Sequence, residues 1–199
     1  LFWLTNHVEK VVATDIYGEG AFAAREAQSS MLTDPASHAP AYQWREEALE
    51  VHHMDGRRLT FPDASFDAVF TVSSIEHFGA PGDVARAAAE IGRVLRPGGH
   101  ALIITECLVH YHPLDRAAGL LARLRARIHT GHDPGRSRRA ALAEVFAPYE
   151  LESLLVTPSG LVEMQRLQKR TSAEASPRIL PHAANSTYTS VCLPLMKPE

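Results

Sequence analysis

No stretch of this sequence approaches the roughly 20 consecutive apolar residues that a membrane-spanning helix requires. Cysteine is scarce: Cys107 and Cys192 are the only two among 199 residues, too few for a disulfide framework. Both lie in strand-like apolar surroundings, so buried reduced thiols and a cytoplasmic setting are expected. Neither sign of charge dominates, and a formal net charge of -3 gives no electrostatic case for a nucleic-acid partner. The densest basic stretch, Arg123 to Arg139, reads as a solvated helix face and loop. Leu1-Phe2-Trp3-Leu4 has neither the basic start nor the small-residue cleavage site of a signal peptide, and reads as the end of an amphipathic helix. No GxGxG motif occurs anywhere.

What is present is ordinary in amount and informative in order. The 45% hydrophobic and 22% charged content belongs to a globular protein, and the length suits one domain over residues 1–199. Val11 to Asp15 is an apolar, β-branched run and Ala48 to Met54 reads as the next strand; they end at carboxylates, Asp15 and Asp55. Phe66 to Val72 is a third such run and Ala101 to Thr105 a fourth. Between them, Val84, Ala87, Ala88, Ile91, Val94 and Leu95 make one apolar stripe of a helix opened by Pro81-Gly82-Asp83. Arg96-Pro97-Gly98-Gly99 ends that helix, because proline cannot continue it and glycine serves a left-handed turn. Strand, helix and strand in this order imply a parallel βαβ crossover.

Other segments are read more coarsely. Ala21 to Leu32 is helix-compatible, as are Leu114 to Ile128, Arg138 to Phe146 and Tyr149 to Leu155, with a break at Pro148. Pro158-Ser159-Gly160 reads as a turn into a strand, Leu161 to Leu167, and Thr187 to Met196 as a final strand. Those last two, with no helix between them, predict an antiparallel hairpin at a sheet edge.

Ligands of open α/β sheets bind at the carboxyl ends of the strands, which directs attention to the polar residues there. Asp15 can accept two hydrogen bonds from a ribose diol, or it can cap its own turn. Asp55, beside Gly56, can take an adenine amino group or, again, cap a turn. Ser73, Ser74, Glu76 and His77 follow the third strand. His77 reads either as a general base, since imidazole ordinarily titrates near 6.5, or as a surface histidine bonded to backbone. The pairs His52-His53, His110 with His112, and His129 with His132 invite a metal reading. His52 and His53 project to opposite faces of a strand, and no Cys/His set has zinc-finger spacing, so no metal site is expected.

Together these landmarks resemble the class I S-adenosylmethionine-dependent methyltransferases, particularly the type 11 group. Leu59-Thr60-Phe61-Pro62-Asp63-Ala64-Ser65-Phe66-Asp67 is similar to that family's approach to its fourth strand. Ser73-Ser74-Ile75-Glu76-His77 matches its active-site segment, and Val94 to Gly99 its turn before the fifth strand. The resemblance implies a Rossmann-like, doubly wound, mostly parallel α/β sheet with a C-terminal antiparallel hairpin. It implies that Asp15, Ile16, Asp55, Gly56, Ser73 and Ser74 bind S-adenosylmethionine and that His77 is catalytic. The methyl group would pass to an O, N or C nucleophile of a small molecule, with no nucleic-acid or membrane partner. The family's first strand and glycine-rich loop are absent from these residues, and a truncated sequence, whose fragment is itself inactive, is the expectation. Beside a minimal family member the chain is longer after its fifth strand, which implies a lid or substrate-recognition insert over residues 108–137. A nicotinamide-dependent Rossmann oxidoreductase and a non-catalytic methyltransferase-like module are the alternatives. The first predicts neither Asp55 nor the Arg-Pro-Gly-Gly turn.

Overall fold

β-branched side chains pack well on a pleated surface, and four of the expected strands pair in parallel couples. The structure is a computed structural model that describes residues 1–20, 23–24, 27–110, 145–164, 178–179 and 187–199. It divides into two compact units, Leu1–Thr60 and Phe61–Glu199.

In the first unit, β1 (Val11–Asp15) pairs in parallel with β2 (Leu49–His53), from Val11 opposite Leu49 to Asp15 opposite His53. Phe2, Tyr17, Ala27 and Met31 form its core, with Trp44, Leu49 and Val51 packed against them. The rings of Phe2 and Trp44 meet edge to face at 4.8 Å. Phe2–Asn6 is a 3-10 turn, its buried Thr5 accepting the Arg45 backbone N–H while the Arg45 guanidinium donates to Thr5 O and Val8 O. Within the expected helix 21–32 the described residues form only a 3-10 turn, Ser29–Leu32; residues 21, 22, 25 and 26 lie outside the described set.

In the second unit, β3 (Phe66–Val72) pairs in parallel with β4 (Leu95–His110), and α1 (Pro81–Val94) connects them. The sheet order is β3, β4, β7 (Thr187–Met196), β5 (Val162–Glu163), with β6 (Arg178–Ile179) also on β7. β7 runs antiparallel to both of its neighbours in that order. The hairpin forms as expected, but its last strand lies one place in from the edge and β5 stands outside it. Residues 165–167 of the expected strand, the helical reading of 114–128, and 111–137 of the insert lie outside the described residues.

Buried Val84, Ala87, Ala88, Ile91 and Val94 put the stripe of α1 into the core with Ile103, Leu193 and Leu195. Asp83 Oδ2 accepts the Ala80 N–H at 2.9 Å, which satisfies one donor at the helix start. At the other end, Lys197 Nζ donates to Gly92 O and Leu95 O at 2.9 and 2.7 Å, so a cation caps the carbonyl end. Arg96-Pro97-Gly98-Gly99 does not separate helix from strand. Leu95 is already opposite Phe66, and the next partners are His100 and Ala68, so the four residues bulge out of a longer β4. Gly98, at φ +73°, makes that bulge possible.

Two readings are corrected. Pro148 starts a helical stretch, Pro148–Glu150, Leu151–Val156 and Thr157–Ser159 following continuously; of the helix expected before it, residues 138–144 lie outside the described set and 145–146 are not helical. The middle segment is a π-helical turn. Pro158 can donate no bond to Leu154, and the wider turn before it relieves the clash that proline makes with that carbonyl. Gly160, left-handed at φ +67°, then closes the stretch. Cys192 is exposed while Cys107 is buried. Strand alternation explains it: Leu193 and Leu195 take the core face of β7, which turns Cys192 outward.

Candidate functional site

Parallel pairing puts both carboxyl ends of β1 and β2 at one rim, and four of the expected residues gather there. The register places Asp15 opposite His53, and the Met54 N–H donates to Asp15 O at 2.9 Å. Asp55 and Gly56 follow at once. Asp15 and Ile16 are half-buried, as are Asp55 and Gly56. Asp15 Oδ1 accepts the Ile16 N–H at 2.7 Å; Oδ2 takes no hydrogen bond among the described residues. The cap and the ligand-binding readings of Asp15 are therefore compatible, each using one oxygen. A half-buried carboxylate with one oxygen open at the rim of a parallel pair fits a sugar hydroxyl.

Asp55 is engaged differently. Its carboxylate takes the Arg57 backbone N–H at 2.9 Å and a two-pronged contact from the Arg57 guanidinium, 2.6 Å at the shorter. That fork fixes the turn after β2. Any ligand contact by Asp55 shares the carboxylate with Arg57, a residue that reading the sequence did not single out.

Tyr17 is the other addition at this rim. Burial, and then the charge of Asp15, push its phenol up to about 12. An unfolded tyrosine ionises near 10. Between about pH 10 and 12 the unfolded chain thus binds fewer protons than the folded one, and stability falls as pH rises. A phenolate absorbance titration should show one of the five tyrosines ionising late, and Asp15→Asn should bring it earlier. Five tyrosines titrating together would contradict the burial described.

In the second unit, Ser73, Ser74 and His77 follow the carboxyl end of β3. Ser73 donates its N–H to Ile104 O at 2.8 Å and so completes the β3–β4 ladder. It does so at φ +45°, a left-handed conformation costly for serine and characteristic of functional turns. Ser74 starts a 3-10 turn, Ile75–His77, and its carbonyl accepts the His77 N–H at 2.9 Å. Ser73 is exposed, and Ser74 and His77 are half-buried. Glu76, unexpectedly, is only 2% exposed, and Thr105 Oγ1 of β4 donates to its Oε2 at 2.8 Å. Residue type argued against burial there. The clue was in β4, where a threonine stands among apolar residues on the core face.

The family-like segments on either side of α1 are joined by hydrogen bonds. Ala64 N–H donates to Arg93 O and Ser65 N–H to Val94 O. Arg93 Nη1 reaches Phe61 O and Asp63, both at 2.8 Å. The carboxylates of Glu90, first, and of Asp63 hold the Arg93 guanidinium firmly in its charged form. The Phe-Pro-Asp-Ala-Ser approach is thus tied to the end of α1, just ahead of β3.

Among the described residues no group of three or more His, Cys, Asp or Glu is placed to hold a metal ion. Nor is any described helix long and apolar enough to cross a membrane.

A family profile described as a methyltransferase domain matches residues 1–103. A phosphatidylethanolamine N-methyltransferase from Cereibacter sphaeroides is 28% identical over 170 residues, covering 84% of this chain and 73% of that protein. Of the solved structures, an S-adenosylmethionine-dependent methyltransferase from Methanosarcina mazei superposes with a TM-score of 0.57 at 18% identity, over 95% of this chain and 82% of that one. Another from Mesorhizobium loti gives 0.54 at 17% identity, over 98% and 84%. At such identities the likeness shows the fold, which is Rossmann-like α/β.

Proposed function

The chain belongs to the methyltransferase-domain family, and from that premise we propose that it is an S-adenosylmethionine-dependent methyltransferase whose acceptor is a small-molecule amine of the ethanolamine type. One observation carries the cofactor reading: Asp15 and Asp55 meet at one rim of the β1–β2 pair, with Asp15 Oδ2 open. The acceptor reading is supported by the relative that is named for N-methylation of phosphatidylethanolamine. Neither the oxidoreductase nor the non-catalytic alternative is favoured by the family match.

Asp15 is assigned to the ribose, Asp55 and Gly56 to the adenine, and Ile16, Ser73 and Ser74 to the cofactor as well. When bound, the cofactor supplies a methyl group activated by a sulfonium. The chain's own work is to hold the acceptor in line and keep water out. His77 is assigned the proton: an ammonium has no lone pair to attack with until a base takes a proton from its nitrogen, leaving the imidazole protonated. We place the reaction in the cytoplasm, consistent with two cysteines free of any disulfide, and without a nucleic-acid partner, in line with the net charge of -3.

The test is transfer of labelled methyl from donor to ethanolamine and to phosphatidylethanolamine in detergent micelles. Label on nitrogen supports the acceptor reading; label confined to hydroxyl or carbon acceptors overturns it. His77→Gln should lower kcat about 100-fold and remove the acidic limb of the pH–rate profile. A variant with an unchanged profile would remove His77 as the base.

A further inference from the structure

The turn that carries His77 is built in an unusual way. Ile75 is fully buried and Glu76 is 2% exposed, so two consecutive side chains enter the protein before His77 turns toward the surface. The backbone bonds of the turn are local: His77 N–H to Ser74 O, and Phe78 N–H to Ile75 O at 3.2 Å. The strand before it ends on the left-handed Ser73. Across the sheet, Thr105 is fully buried on the face of β4 shared by Ile103 and Cys107. Its hydroxyl donates to Glu76 over a sequence separation of 29 residues.

A carboxylate is an expensive way to fill such a place. Removing it from water is costly unless hydrogen bonds replace the lost hydration, and an apolar side chain of like volume would pack there without that cost. Local rules of residue choice are broken most often where function requires it. Glutamate and threonine also do what packing alone does not: they fix direction, because one hydroxyl hydrogen points at one oxygen. Displacements of about 1 Å suffice to change the rate of a positioned reaction about 100-fold.

We propose that Glu76 and Thr105 are positioning residues, a buried tether that ties the Ser74–His77 turn to β4 and sets the aim of His77 toward the acceptor. This rests on the methyltransferase reading above, with His77 as base. Neither residue need touch the cofactor or the acceptor.

The experiment compares Thr105→Val and Glu76→Leu with the conservative Thr105→Ser and Glu76→Gln, in the natural full-length protein. Two readouts are taken: methyl-transfer kinetics with ethanolamine as acceptor, and amide hydrogen exchange without ligand. The tether predicts that Thr105→Val and Glu76→Leu each lower kcat tenfold or more with both KM values within about twofold. It also predicts tenfold faster exchange at His77 and Phe78, unchanged exchange in β3 and β4, and substantial recovery in both conservative variants. The double variant should be no worse than the poorer single one. Unchanged kcat per folded molecule, or exchange that rises uniformly across the second unit, overturns the tether while leaving the methyltransferase reading intact. A wild-type protein that transfers no methyl group overturns the reading itself; the exchange pattern then still decides whether the tether holds the turn. Should Glu76→Leu fail to fold, Thr105→Val and its serine rescue decide alone.

Discussion

Gly92→Ala is expected to destabilise the protein by about 2 kcal/mol net, a fall in melting temperature of roughly 4–8 °C. The sign is not obvious, because in an exposed helix the same change would stabilise by about 1 kcal/mol. Space decides it. A methyl group built on Gly92 would overlap Ser159 O and stand 2.8 Å from Ser159 C. Both are backbone atoms, and Ser159 is held in place: its hydroxyl donates to Val156 O at 2.7 Å and accepts the Leu161 N–H at 3.2 Å. Neither helix can give way cheaply. To make room, α1 must part from the 148–159 stretch, losing burial on both. A calorimetric scan checks it; a melting temperature above wild type would show that the contact is not as described.

That contact illustrates which parts of the fold could be read from residues alone. The stripe of α1 was legible because apolar residues at helical spacing leave one face to bury; five of the six expected lie in α1, and the sixth, Leu95, instead opens β4. The parallel β3–β4 couple was legible because a helix between two strands of one sheet implies a parallel crossover. Pro158 misled, since proline ordinarily ends a helix and nothing in the sequence announces a π-helical turn before it. Arg96-Pro97-Gly98-Gly99 misled in the same way: residues suited to a turn also suit a bulge, and only the register of Leu95 against Phe66 tells the two apart.

At the rim, Asp15 and Asp55 were legible because topology alone brings them together once β1 and β2 are parallel. The Arg57 fork on Asp55 was not, since it depends on side-chain torsions. The burial of Glu76 was not, since residue type argues the other way and the compensating Thr105 lies on another strand. Cys192 was misplaced because an apolar neighbourhood in sequence does not say which face of a strand is outward.

The second large effect concerns cofactor affinity. Asp15→Ala is expected to weaken binding by about 2 kcal/mol, roughly thirtyfold, the value of a hydrogen bond to a charged acceptor. The local cost is small by comparison. Asp15 Oδ1 holds only its neighbour's N–H, and that group is half-exposed and can turn to water. Asp15→Asn keeps an oxygen for the turn but loses the charge, so it should lie between wild type and alanine. Equal weakening by both would mean that charge dominates over geometry at this rim.

Calorimetric titration of S-adenosylhomocysteine into the natural full-length protein tests the central claim most directly. The account predicts saturable binding at one site with a dissociation constant on the order of micromolar, and roughly thirtyfold weaker binding by Asp15→Ala. Wild-type protein that gives no saturable heat would contradict it.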